Sequence, residues 1–408
     1  MSELHARVIN SIQPGFDIEM LNNSFVRSNI LMRSATSKKL SFIAVWLLLF
    51  ASSSAFGQSV QSQTQGDRPL HMLVLGDSIL WGQGLKAENK TWYHVKLWLE
   101  KNTRRRVVER IEAHSGAVIE RSSATDNLAS SHREVNVGLP TVNEELDEAV
   151  RFYSDPSQVD LVLVSACGND VGVQNLLNAS NTGQVDEMTD AKCGKPVENL
   201  LRRIANAFPA AQIIVAGYYP FFSAETRNDF VVKALARRFF KTQPEGAPRM
   251  SSTEVFERLK VNSSQWHQTS NVKLAEAVRS INAELGRERV MFVKVTFPAA
   301  YSFAAPQTHL WGFNRSPFRM TLLFLSFGKI LLPSNDEVRK QRTASCNELY
   351  KDQRNETTAE KKDRKALRLF CRYAALGHPN KKGAVLYADA ITDVLKSSLV
   401  TTTLSNPP

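Results

Sequence analysis

The tripeptide Gly76-Asp77-Ser78 ends the apolar run "LHMLVLG" (70–76) and precedes two further glycines, Gly82 and Gly84. A buried strand that stops at a serine can display its hydroxyl where the chain turns. Three other places carry matching chemistry: "AHSGA" (113–117) holds Gly116, "VDLVLVSACGND" (159–170) ends near Asn169, and "GHPNKKG" (377–383) carries His378. A serine hydroxyl needs a base to become a useful nucleophile, and histidine titrates in the right range. The oxyanion of a tetrahedral intermediate needs donors. The backbone N–H groups of Ser78 and Gly116 and the side-chain amide of Asn169 could supply three, each typically worth about 2.7–4 kcal/mol. The set suits acyl transfer. Trp81 and Asp77 flank Ser78 and are candidate substrate contacts, with core packing an equal alternative for Trp81. Asp170 reads as a turn cap, and His114 and His309 as structural residues.

These residues need elements that bring them to one edge. Short apolar runs that read as strands occur at 70–76, 105–115, 159–170, 211–219 and 289–295. Helical patterns separate or follow them at 91–102, 141–153, 197–208, 271–286 and 382–399. Continuous apolar strands with helices between them predict a parallel sheet covered on both faces. The alternation predicts a doubly wound α/β domain, in which ligands bind beyond the carboxyl ends of the strands. Ser78, Gly116 and Asn169 all fall at such ends, and His378 precedes the final helix. The domain is expected over 69–400, with insertions near 220–270 and 296–370 and a tail at 401–408. The second insertion contains "MTLLFLSFGKILLP" (320–333), too short for a bilayer span. It is expected to pack on the domain or to form part of a lid over an apolar site.

The order and context of these motifs resemble the SGNH (GDSL-type) hydrolases over roughly residues 70–398. The resemblance implies a flavodoxin-like αβα sandwich with a mainly parallel five-stranded sheet. It implies Ser78 as nucleophile, His378 as base, and Gly116 and Asn169 completing the oxyanion hole. It also implies an esterase, lipase or deacetylase that needs no metal or other cofactor. Two positions depart from the family pattern. The usual Asp three residues before the histidine is Ala375, and the usual glycine two before the asparagine is Cys167. Loss of a triad Asp costs about 10⁴-fold in kcat in serine proteases that depend on it. Either the Ala375 carbonyl or a carboxylate such as Asp363 orients His378, or the protein is a catalytically weak relative that binds a glycan or lipid.

Composition bounds the setting. The 408 residues are 43% hydrophobic and 22% charged, which is ordinary for a chain that buries a core. The formal charge of +11 comes from short dispersed clusters, with no zinc spacing or RNA-binding signature, so nucleic acid is not expected as a partner. The stretch "MRSATSKKLSFIAVWLLLFASSSAFGQ" from Met32 has the basic start, apolar run and small residues of a secretory signal. A leader over 1–57 is therefore expected, with the signal at 32–57, Met32 as the natural start and a linker at 58–68. Membrane attachment would arise only from an uncleaved leader. Four cysteines in an exported chain favour disulfides, with three possible pairings. Adjacency makes Cys167–Cys193 and Cys346–Cys371 the first choice. A secreted, periplasmic or envelope-located enzyme acting on a small-molecule, glycan or lipid ester is the expectation.

Overall fold

The computed structural model describes residues 68–405 apart from 122–126, 230–231, 234–249 and 327–331. The leader expected over 1–57 and nearly all of the 58–68 linker lie outside the described residues. The five expected strands form, β1 with the expected bounds and the other four shortened: β1 Leu70–Gly76, β2 Val107–Ile111, β3 Val159–Ser165, β4 Gln212–Ala216 and β5 Val290–Val293. They make one all-parallel sheet in the order β2-β1-β3-β4-β5. This is the doubly wound arrangement that the alternation predicts. Every residue of β1 except His71 is buried, as a central strand covered on both faces requires.

The helices are α1 Ser78–Trp81, α2 Thr91–Thr103, α3 Val142–Phe152, α4 Gly168–Val171, α5 Val173–Leu176, α6 Val185–Cys193 and α7 Lys195–Ala207. They continue with α8 Ser252–Leu285, α9 Pro317–Leu325, α10 Arg339–Leu349, α11 Thr358–Arg372 and α12 Lys381–Ser405. The final helix packs with α2, whereas α3, α7 and α8 pack in series, so helices cover both faces. Two boundaries differ from expectation. The helix expected to begin at 271 begins at Ser252, so the 220–270 segment is not an insertion throughout; Ser251 caps this longer helix through Glu254 N–H. The tail begins later than 401 because α12 runs to Ser405. The polar sequence between 252 and 270 hid the first half of α8, because its buried face is built from scattered Phe256, Leu259, Asn262, Ser263 and Trp266.

In the apolar 320–333 run, Leu323 is buried on the core while Phe324 and Leu325 are exposed. Its 327–331 portion lies outside the described residues. Both disulfides take the adjacent pairing, Cys167–Cys193 and Cys346–Cys371. Such bonds persist in oxidising compartments. No helix among the described residues is long and apolar enough to cross a membrane.

β1 and β3 converge at their carboxyl ends, where Gly76 has φ +113° and pairs with Ser165. A Cβ at Gly76 would overlap the Ser165 carbonyl oxygen. Only glycine combines that φ with so close an approach. Gly76→Ala is expected to destabilise the protein by roughly 3 kcal/mol or more, read as a lowered urea midpoint.

Candidate active site

Ser78 opens α1 immediately beyond β1. Asp77 caps this short helix, its Oδ1 accepting from Ile79 N–H at 3.0 Å and from Ser165 Oγ at 2.7 Å. Tyr218, just past β4, donates its hydroxyl to Asp77 Oδ2 at 2.5 Å. The same Tyr218 oxygen accepts from Gly168 N–H at 3.0 Å. Burial pushes the Asp77 carboxyl up, opposed by the Tyr218, Ser165 and Ile79 hydrogen bonds. Both Asp77 oxygens are thus committed to the protein. Asp77 borders the cleft, but its polar atoms hold three strand ends together and do not stand free for substrate.

His378 approaches from the far end of the chain and places Nε2 2.8 Å from Ser78 Oγ. Its loop is fixed by residues that the sequence reading assigned to the second insertion. Trp311 N–H donates to the His378 carbonyl at 2.8 Å, Gly377 N–H to the Trp311 carbonyl at 2.9 Å, and Asn380 N–H to the His309 carbonyl at 2.8 Å. Tyr219 donates its hydroxyl to the Gly377 carbonyl at 2.7 Å. Gly377 has φ +78°, and a Cβ there would overlap the Phe221 ring.

The other nitrogen of His378 is different. Nδ1 is buried without a well-formed hydrogen bond, and the backbone carbonyls of Ala375, Leu376 and Ala374 act on the ring. Asp363 does not supply one, because it is exposed on α11. The Ala375 carbonyl accepts the backbone N–H of His378 at 3.0 Å, and with the Ala374 and Leu376 carbonyls it also favours a proton on the ring. Burial, helped by the Arg342 charge, pushes His378 down to about 4, against the carbonyl dipoles of Ala375, Leu376 and Ala374. The ring is therefore neutral at pH 7. With its proton on Nδ1, Nε2 presents a lone pair to the serine hydroxyl.

Asn169 lies in α4, and its Nδ2 donates to the Ala117 carbonyl at 2.9 Å, leaving one N–H to spare. Asp170 also reaches this loop, accepting from Ile119 N–H at 2.9 Å, and burial pushes its carboxyl up to about 7. Gly116 takes φ +88° where a Cβ would collide with Val137. Ser78, Asn169 and His378 border one apolar cleft of about 770 Å³, part of it open to solvent. Gly116 borders an adjoining, more polar compartment that shares Asn169 with the cleft.

Trp81 does not line this cleft. Its Nε1 donates to Glu134 Oε1 at 2.9 Å, and Lys90 Nζ sits 3.0 Å from its ring centroid. Glu134 also faces Arg342, which forms a fully buried pair with Asp336. This charged cluster joins the 81–90 loop to the second insertion, and burial pushes Lys90 down to about 7. His309 stacks on Tyr301 with centroids 3.6 Å apart, and His114 is buried against Glu145. Neither histidine touches Ser78 among the described contacts.

The sequence reading missed the cleft wall. Phe221 stacks on Phe303 at 4.9 Å and packs on Phe222 at 4.6 Å; Phe303 meets Phe313, which meets Tyr373. These rings come from four separate segments, so no local spacing announces them. "YYPFF" (218–222) beyond β4 was the one available signal. Among the described residues, 320–326 do not line the cleft, so the expected lid is not seen there.

The charge state of His378 can be checked directly. Its folded pKa lies below the usual 6.5, so the folded protein binds fewer protons than the unfolded chain between pH 6.5 and 4. The stability this group contributes is present above pH 6.5 and is lost as pH falls toward 4. NMR titration should show a neutral His378 at pH 5.5, and His378→Gln should flatten part of the fall in urea midpoint between pH 7 and 5.

A sequence profile of the GDSL-like lipase/acylhydrolase family matches residues 72–391. A search of curated sequences finds no match. Among solved structures, the chain is similar to phospholipase A1 from Streptomyces albidoflavus NA297, at 14% identity and a TM-score of 0.37, covering 61% of this chain and 89% of that one. It is similar to an extracellular lipase from Streptomyces rimosus, at 17% identity and a TM-score of 0.35, covering 60% and 88%. It is also similar to a Clostridium thermocellum family 3 carbohydrate esterase, at 17% identity and a TM-score of 0.28, covering 57% and 83%. With the profile spanning more than half of its residues, the chain belongs to the GDSL-like lipase/acylhydrolase family and is a hydrolase acting on ester bonds.

Proposed function

We propose that the protein hydrolyses carboxylic esters with an apolar acyl group through a Ser78–His378 acyl-enzyme mechanism. The observation that carries this reading is the 2.8 Å contact between His378 Nε2 and Ser78 Oγ at the edge of an aromatic-walled cleft. Ser78 Oγ attacks the acyl carbon as its proton passes to Nε2. The oxyanion is held by the backbone N–H groups of Ser78 and Gly116 and by the spare Asn169 N–H. The imidazolium then gives its proton to the leaving alkoxide. Water hydrolyses the acyl-enzyme, its proton going to Nε2 and on to Ser78 Oγ. The wall of Phe221, Phe222, Phe303, Phe313 and Tyr373 suits an acyl chain better than a sugar, and Trp81 is turned away from the site. The two disulfides and the "KKLSFIAVWLLLF" run support secretion or an envelope location.

A second reading keeps the fold and gives up most of the turnover. Burial, the nearby Arg342 charge and the lack of a carboxylate at position 375 all disfavour the imidazolium that the reaction must form. On that reading the cleft binds a lipid or glycan that it hardly turns over. p-Nitrophenyl octanoate and acetate separate the two.

The proposal predicts hydrolysis with octanoate preferred, and a loss of about 10³-fold or more in kcat for Ser78→Ala. It further predicts an acid limb of kcat/KM near pH 4, not near 6.5, because the free enzyme's base stays neutral through that range. Equal rates for wild type and Ser78→Ala on both esters would favour the binding reading.

A further inference from the structure

Behind the nucleophile lies a buried acid–base pair that the ester chemistry leaves unused. Glu145 stands in the first turn of α3, and its carboxyl spans two structures. Its Oε2 accepts from Gly76 N–H at 2.6 Å, two residues before Ser78. Its Oε1 lies 2.8 Å from His114 Nδ1. His114 Nε2 in turn lies 3.1 Å from the carbonyl of Val137, the residue that packs against Gly116. His114 N–H also donates to the Gly76 carbonyl at 2.9 Å. The start of α3 is itself fixed. Thr141 and Glu144 form a capping box, and Val142 N–H donates to the Val118 carbonyl at 2.8 Å, in the loop that follows Gly116. One side chain therefore links the turn that carries the nucleophile to the loop that carries an oxyanion donor.

We propose that Glu145 is a positioning residue for ester hydrolysis, acting as a neutral carboxylic acid that donates to His114 Nδ1 and accepts from Gly76 N–H, so that the Ser78 turn and the Gly116 loop keep one fixed separation. The proton count follows from the contacts. Val137 offers only a carbonyl, so His114 Nε2 carries a proton. A single proton then occupies the contact between Oε1 and Nδ1, on one side or the other. An ion pair there would place two charges in a site where both side chains are almost wholly buried, which is costly unless both are fully compensated. The neighbouring charges are Arg133, Glu112 and Asp77; Arg133 is already bound to Glu112 and to the Ala113 carbonyl. Burial pushes Glu145 up and His114 down to about 4, in keeping with a neutral pair. A merely structural pair would stabilise the fold without favouring the transition state.

The kinetic part of this inference rests on the esterase reading; the proton placement does not. The experiment compares Glu145→Gln, Glu145→Asp and Glu145→Ala with wild type on p-nitrophenyl octanoate, alongside the ¹⁵N spectrum of His114. Gln reproduces the neutral acid: its amide donates to Nδ1 and its carbonyl accepts from Gly76. Its kcat should stay within about threefold of wild type, with some loss of thermal stability from the extra buried N–H. Asp is too short to span both partners, and Ala has none to offer. Both should lower kcat about 10- to 100-fold with KM nearly unchanged, and if Ala does not fold, Asp carries the comparison. The wild-type spectrum should show an unprotonated Nδ1. A Gln variant as impaired as Asp, an imidazolium spectrum, or an Asp variant that is destabilised with kcat intact would each overturn the proposal. A wild type with no turnover would strike the esterase reading, and the His114 spectrum would still decide where the proton lies.

Discussion

The buried carboxylate of Asp77 is the constraint from which the site follows. It accepts from Ile79 N–H, Ser165 Oγ and Tyr218 OH, so the ends of β1, β3 and β4 meet on one side chain. Remove it and three donors lose their partner at once, each at a cost of about 1–3 kcal/mol if it stays buried. Tyr218 extends the tie to Gly168, next to Asn169, so Ser78 and Asn169 share one hydrogen-bonded anchor. The close approach of Gly76 to Ser165 makes this possible, because only without a Cβ can the two strand ends come so near. The proposed catalytic geometry is held by the end of a rigid sheet, which suits a reaction sensitive to small displacements of the reacting atoms.

The strands and the order of the motifs were legible because each depends on a few neighbouring residues. "LHMLVLG" and "VDLVLVS" declare buried parallel strands by unbroken apolar character, and topology then places Ser78 and Asn169 at one edge. The disulfide pairing was guessed correctly from adjacency alone. What the sequence could not show is what distant segments do for one another. The 309–311 segment looked like part of an insertion, yet its backbone holds the His378 loop. Trp81, one turn past Ser78, read equally as a pocket or a packing residue, and Glu134 and Lys90 claim it from outside the cleft. Asp363 was a reasonable partner for His378 by charge, but α11 turns it to solvent. The aromatic wall escaped notice for the same reason, since its rings lie up to about 150 residues apart.

Two departures from the family pattern have different physical weight. Cys167 stands at φ +92°, a conformation that typically costs a non-glycine residue about 1–3 kcal/mol. In return it forms the disulfide to Cys193 in α6, which ties the turn before Asn169 to the body of the domain. A glycine would relax the backbone and lose that tie. Ala375 has no such compensation, because it leaves the imidazole with backbone carbonyls in place of a carboxylate and with a guanidinium nearby. Burial and that charge favour the neutral form of His378 over its charged form.

The central claim, that Ser78 is a nucleophile activated by His378, is tested most directly by covalent trapping. The full chain would be treated with a fluorophosphonate and the modified residue located by mass spectrometry, in wild type and in His378→Ala. A single adduct on Ser78, formed much more slowly when His378 is absent, is the result that this account predicts. Labelling of a different serine, or an equal rate without His378, would contradict it.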